Sequence, residues 1–221
     1  MGSTVGQIVP FAIGVGINPL PVIAVILLLL TPRARATGLS FLAGWLAGLI
    51  LVGGMSIAIA NRTDLYGAEG SSIATWVSLI LGVLVLALAL KQWLGRPAAG
   101  EEAEPPSWMA ALDQMSGWRA LRLGAILAVA NPKNLVLTLT AAVIIVEGGH
   151  TRAQETLALA VFVIVASMGV AVPMVAHFAL GSRAPSILDG WRTWLVRNNA
   201  TIMTVVLGII GVLLVVLALA P

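Results

Sequence analysis

Two short polar strings interrupt apolar runs, and they hold the residues best suited to chemistry. Ala130-Asn131-Pro132-Lys133-Asn134 lies inside a run that is otherwise almost wholly apolar from Leu123 to Val146. Ile17-Asn18-Pro19-Leu20-Pro21 interrupts the run from Val5 to Leu30 in the same way. A proline within a helix removes a backbone donor and clashes with the preceding turn. The carbonyls it frees need partners inside protein or in a wet cavity, because lipid supplies none. Amide side chains donate and accept, so Asn18, Asn131 and Asn134 can serve the unwound backbone or bind a polar ligand group. Lys133 places a charge deep in an apolar run, at a cost of about 2.5–3.5 kcal/mol on insertion scales. An ammonium beside a half-helix that begins near Pro132 favours an anion such as a phosphate or carboxylate. The plainer alternatives are that each Asn-Pro closes a kink satisfied internally, and that Lys133 snorkels into a water-filled vestibule.

No catalytic constellation stands beside these strings, and the chain is not expected to be an enzyme. His150 and His177 are the only histidines. His177 follows Pro173 on an apolar run and joins the candidate substrate-binding set of Asn18, Pro19, Pro21, Asn131, Pro132, Lys133 and Asn134. A lone intramembrane histidine also serves as a packing residue. Glu147, His150 and Glu155 could make only an exposed and weak cation site, so no metal and no cofactor is expected. No Asp or Glu is expected deep in a span, which argues against a conventional proton- or sodium-coupled carrier. Cysteine is absent, which removes disulfides, thiolate metal sites and thiol redox chemistry.

The elements that must position these residues are membrane helices. Of 221 residues, 59% are hydrophobic and 10% charged, with a mean hydropathy of +1.03. Soluble domains carry about 25% charged residues. Six apolar runs, near 5–30, 37–60, 72–94, 120–146, 153–180 and 199–220, have the length of spans. None shows the alternating polarity of a barrel strand. An all-α membrane protein of six helices is expected. Adding 113 to Asn18 and Pro19 gives Asn131 and Pro132, and the same offset lays Gly38–Ala60 over Thr151–Pro173. The chain therefore reads as two three-helix repeats, 1–94 and 119–221, each opening with a helix broken at Asn-Pro. Corresponding interrupted spans in two halves are the best sequence pointer to a transporter's binding site.

Nine of the twelve lysines and arginines fall in the first, third and fifth connections, while Arg62 and Arg152 lie on the other side. Positive residues mark the cytoplasmic face. This predicts an inner-membrane protein with both termini outside and the two repeats inserted in opposite directions. The net charge of +3 then reflects topology and contact with anionic headgroups rather than nucleic acid. No cleaved leader is expected, because no basic segment precedes Val5 and the run to Leu30 is too long. Residues 95–118 form the linker, with the acidic, Pro-rich string Arg96–Pro106 composed for mobility. Trp108, Ala111, Leu112, Met115 and Trp118 follow at helical spacing, as do Ile187, Leu188, Trp191, Trp194 and Leu195. Both patches predict short interfacial helices, either anchoring the protein or presenting a platform for headgroups. Gly44 and Gly48 have the spacing of a homodimer face, although in a six-helix bundle internal packing suits them better.

Taken together, Gly16-Ile-Asn-Pro-Leu-Pro-Val-Ile23, Ala130-Asn-Pro-Lys-Asn-Leu135, the 3+3 arrangement and the acidic middle loop resemble the LysE superfamily of exporters. Within it they are most similar to the GAP or sulfolipid-addressing branch of actinobacteria, over nearly the whole chain. The resemblance implies a cytoplasmic-membrane protein that helps move glycolipids toward the cell envelope, alone or within a larger lipid-export machine. It places interest on Asn18, Pro19, Asn131, Pro132, Lys133 and Asn134. With Lys133 as the intramembrane cation, the expectation is an exporter or flippase for an anionic lipid, glycolipid or lipid-linked glycan. The rival expectations are an exporter of a small polar solute and a scaffold that transports nothing.

Overall fold

The computed structural model describes residues 1–62, 70–95 and 115–219, and among them every regular element is helical. The first apolar run makes α1 (Gly2–Gly16) and α2 (Pro19–Leu29), which meet at a 55° bend. It is followed by α3 (Ala34–Ala60) and α4 (Gly70–Leu94). The second interrupted run makes α5 (Gly117–Val129) and α6 (Pro132–Glu147), bent by 66°, and then come α7 (Arg152–Leu180) and α8 (Ala184–Leu219). Both proline breaks are therefore helix starts: Pro19 and Pro132 each occupy the first turn, where the missing N–H has no intrahelical partner to lose.

The surface suits lipid. Leu51, Leu94, Val175 and Ile209 are each more than half exposed, and bands of this kind along long helices would not be left open to water. By length and composition, α3 and the 65-residue stretch Arg152–Val216 can each cross a membrane, and each bent pair qualifies when taken as one span. The described residues thus hold two to four spans. The described apolar part of α4, Leu79–Leu94, is shorter than a crossing. The stretch that holds α7 and α8 is divided by a short 3-10 turn, Gly181–Arg183, where Gly181 takes a φ of +51°. That left-handed conformation is one that glycine adopts without steric cost.

The halves interlock rather than sit side by side. Helix α3 lies along α5, α1 packs on α6 and α7, and α4 lies along α8. Small residues permit these approaches. A Cβ at Gly44 would strike the Leu121 carbonyl of α5, and one at Gly124 would strike the Phe41 carbonyl of α3. Gly48 faces Ala128 and Val129. The Gly44–Gly48 pair is therefore occupied by packing within the chain, and the alternative of a dimer face at these two residues is set aside. Helices α3 and α7 run antiparallel: Arg35 lies over the Phe178 ring at one end, and Asn61 bonds Glu155 at the other.

One expected feature differs. The patch from Ile187 to Leu195 is not a separate interfacial helix. It is continuous with the last apolar run, making α8 36 residues long, or about 54 Å at 1.5 Å per residue. Nothing between Ala184 and the apolar run breaks the helix, so the amphipathic part extends it. Trp191 and Trp194 are nonetheless exposed on its surface. The linker string Arg96–Pro106 and most of the patch before α5 lie outside the described residues, and of that patch Met115 and Trp118 are described.

Candidate functional site

The breaks in the two interrupted runs leave helix-end carbonyls without intrahelical partners. Those of α1 are met by a side chain from the other half. The Lys133 ammonium donates to the Gly14 carbonyl at 2.8 Å and to the Ile17 carbonyl at 3.1 Å. Its side chain is 2% exposed. Lys133 sits in the first turn of α6, where a cation faces the wrong end of its own helix dipole, but its long stem carries the charge to the C-terminal, negative end of α1. The charge thus has helix-end carbonyls as partners, not a carboxylate.

The carbonyls at the end of α5 are met by the next residue. Asn134 Nδ2 donates to the Leu127 carbonyl at 3.3 Å and to that of Ala128 at 3.5 Å. Its Oδ1 accepts from Asn18 Nδ2 at 3.3 Å, which ties the two breaks together across 116 residues of sequence. Asn131 caps α6, its Oδ1 accepting from the Lys133 backbone N–H at 3.0 Å. Asn18 stands at the matching position of α2 in extended backbone but caps nothing with its side chain. The two strings therefore share a break and divide the labour unequally. The string Asn131-Pro-Lys-Asn134 serves both helix ends, which accounts for Leu20 standing where the second half has Lys133.

The structure brings Asn18, Lys133 and Asn134 together in the interior, with Asn131 half-buried beside them. Pro19 and Pro21 are buried along α2, whereas Pro132 is exposed. His177 lies apart, near the far end of α7. Its Nδ1 is buried without a hydrogen-bond partner among the described residues, and its ring meets Phe178 edge to face. Lys133 was expected to present its amine to a cavity. Here the amine is engaged by backbone, because the break in α1 leaves two acceptors within its reach.

One residue was misjudged from the sequence. Glu155, expected to be exposed, is 4% exposed. It accepts from Asn61 Nδ2 at both carboxylate oxygens, 3.2 and 3.1 Å, and from Arg152 at 3.3 Å. Asn61 closes the C-terminal end of α3 and Glu155 sits in the first turn of α7, so the contact joins two helix ends 94 residues apart. The sequence signal was slight: an acid four residues after the N-cap Thr151, on the same face as the buried Ala158 and Phe162. His150 pairs with Thr4 at 2.8 Å. Among the described residues no three acids or histidines gather as metal ligands.

The sulfolipid-1-addressing protein family matches the chain over residues 8–220, a range that takes in both breaks and the Asn61–Glu155 contact. The chain belongs to this family. No curated protein and no solved structure matches it. Membership accords with the apolar helices in making this a membrane protein of sulfolipid addressing, and the family's range includes the Asn18–Asn134 tie and the Lys133 contacts.

Proposed function

We propose that the protein exports or flips an anionic lipid or glycolipid across the cytoplasmic membrane, using the joined breaks as its polar site. The observation that carries the proposal is that two interrupted helices from separate halves meet in the interior around a buried ammonium. In this reading the hydrogen bonds from Lys133 to Gly14 and Ile17 hold the site closed. An anionic headgroup entering between the halves takes their place, with Asn18, Asn131 and Asn134 turning to its hydroxyls and oxygens. An ammonium has three donors, and two are used by α1. An inside-negative potential favours outward movement of the anion by about 2.3 kcal/mol per charge per 100 mV, so no carboxylate carrier is required.

The wider architecture in this proposal is six crossings in two inverted repeats, with α7 and α8 as separate spans and both termini outside. Its support is the antiparallel course of α3 and α7, which the 113-residue offset makes equivalent, and the matched pairing of α3 with α5 and α1 with α7. The test is to reconstitute the protein in vesicles and follow a labelled anionic lipid between leaflets. Wild type should accelerate the exchange and Lys133→Met, which keeps most of the stem, should slow it at least tenfold. Equal rates would refute the role given to Lys133.

A second reading is favoured by the same two hydrogen bonds. Lys133 with its amine fully engaged is also what a structural pin would show, and the protein would then be a scaffold within an export machine. That reading expects purified wild-type protein to move no lipid at all.

A further inference from the structure

At the end of α3 and the start of α7 lies a partly open pocket of about 210 Å³, remote in sequence from both Asn-Pro strings. It is lined by Gly54, Ile57 and Ala58 on α3 and by Arg152, Glu155, Thr156 and Leu159 on α7. The pocket has two characters. Ile57, Ala58 and Leu159 give it an apolar wall. At its rim a buried carboxylate meets an arginine whose side chain is 70% exposed.

Neither charged group is spent. Two carboxylate oxygens offer about four acceptor positions. Glu155 Oε1 receives one bond, from Asn61, and Oε2 receives two, from Asn61 and Arg152. Oε1 therefore retains an acceptor position at a buried site, where a hydroxyl donor is worth more than at the surface. Arg152 gives one donor to Glu155 and keeps the rest of its fork, which suits a phosphate or sulfate. An acceptor for hydroxyls beside a donor for anions describes a hydroxylated anionic headgroup.

Size decides what part of such a molecule fits. The volume is about seven times the ~30 Å³ that one water occupies in the liquid, enough for a headgroup but not for acyl chains. Chains would have to lie outside, and the adjoining surfaces of α3 and α7 are apolar and open: Met55, Ile59 and Leu157 are each more than half exposed. Gly54 keeps the space clear, since a Cβ there meets nothing within 4 Å.

We propose that this pocket binds the headgroup of a hydroxylated anionic lipid at the outer face, the anionic group on Arg152 and a hydroxyl on Glu155 Oε1. It rests on the export reading for its place on the outer side, and it gives that reading a release site separate from the central breaks. The Asn61–Glu155 contact holds the ends of α3 and α7 together and so keeps the pocket's shape.

The test is calorimetric titration of the detergent-purified full chain with dioctanoyl phosphatidylglycerol, which has two hydroxyls, and dioctanoyl phosphatidylmethanol, which has none. Wild type should bind the first about tenfold more tightly. Gly54→Leu, which fills the pocket, should weaken phosphatidylglycerol binding at least tenfold, and the smaller Gly54→Ala should fall between. Glu155→Gln should bring the two lipids within about twofold of each other. Unchanged phosphatidylglycerol binding in Gly54→Leu, or no preference in wild type, overturns the proposal. The vesicle exchange assay separates the two readings. Lys133-dependent exchange with unaltered binding in Gly54→Leu sinks the pocket and leaves export standing. Pocket-dependent binding without any exchange does the reverse.

Discussion

Lys133→Met isolates what the amine does for the fold. The substitution keeps an apolar stem in place and removes the donors to Gly14 and Ile17. Hydrogen bonds to a charged group contribute about 1.5–3 kcal/mol each, so two of them come to about 3–6 kcal/mol. The lower half applies, because Ile17 is on an exposed turn and its carbonyl is only partly buried. Against this stands relief from burying an ammonium, at most about 2.5–3.5 kcal/mol. The balance is a net loss of about 0–2 kcal/mol. At about 2–4 °C per kcal/mol for a chain of this size, the unfolding midpoint in detergent should fall by up to about 8 °C. Amide exchange should rise locally at residues 14–22, where the end of α1 loses its anchor. An unchanged midpoint with unchanged exchange would refute the pinning argument. A higher midpoint would show that the buried charge costs more than its bonds return and is kept for a ligand.

Asn18→Ala and Asn134→Ala should not add: a double-mutant cycle on thermal stability is expected to show about 0.5–1.5 kcal/mol of coupling through their 3.3 Å hydrogen bond, and strict additivity would deny the tie between the breaks. Gly44→Leu or Gly124→Leu should abolish recovery of folded protein, because each drives a side chain into the opposing backbone, whereas Gly208→Leu, with open space around it, should be recovered at wild-type levels in size-exclusion chromatography. The chain has no cysteine, so single-cysteine labelling is direct. Arg62→Cys should react with an impermeant maleimide from outside intact cells and Arg192→Cys only after lysis, and the opposite pattern would invert the orientation.

Much of the architecture was legible because the bilayer imposes it. Apolar runs of spanning length, two prolines at a 113-residue offset and an uneven distribution of arginine reveal helices, breaks and expected sidedness without any knowledge of packing. The family was legible for the same reason, since the strings around Asn18 and Asn131 are local. Partner choice was not. That Gly44 meets α5 rather than a second copy depends on how α3 crosses it, and spacing alone is the same in both cases. Glu155 looked solvated because an acid in the first turn of a helix usually is, and its burial depends on Asn61 arriving from 94 residues away.

The same division runs through the breaks. Sequence alone determined that helix-end carbonyls would be stranded inside apolar runs and that Lys133, Asn134 and Asn18 were the polar groups at hand. Only the tertiary structure decided which carbonyl each would serve, because α6 runs antiparallel to α1 and its first turn comes level with the last turn of α1. That alignment lets Lys133 reach across to the other half while Asn134 turns back to its own. A chain read residue by residue shows the demand for hydrogen bonds; their assignment depends on distances that exist only once the helices have packed.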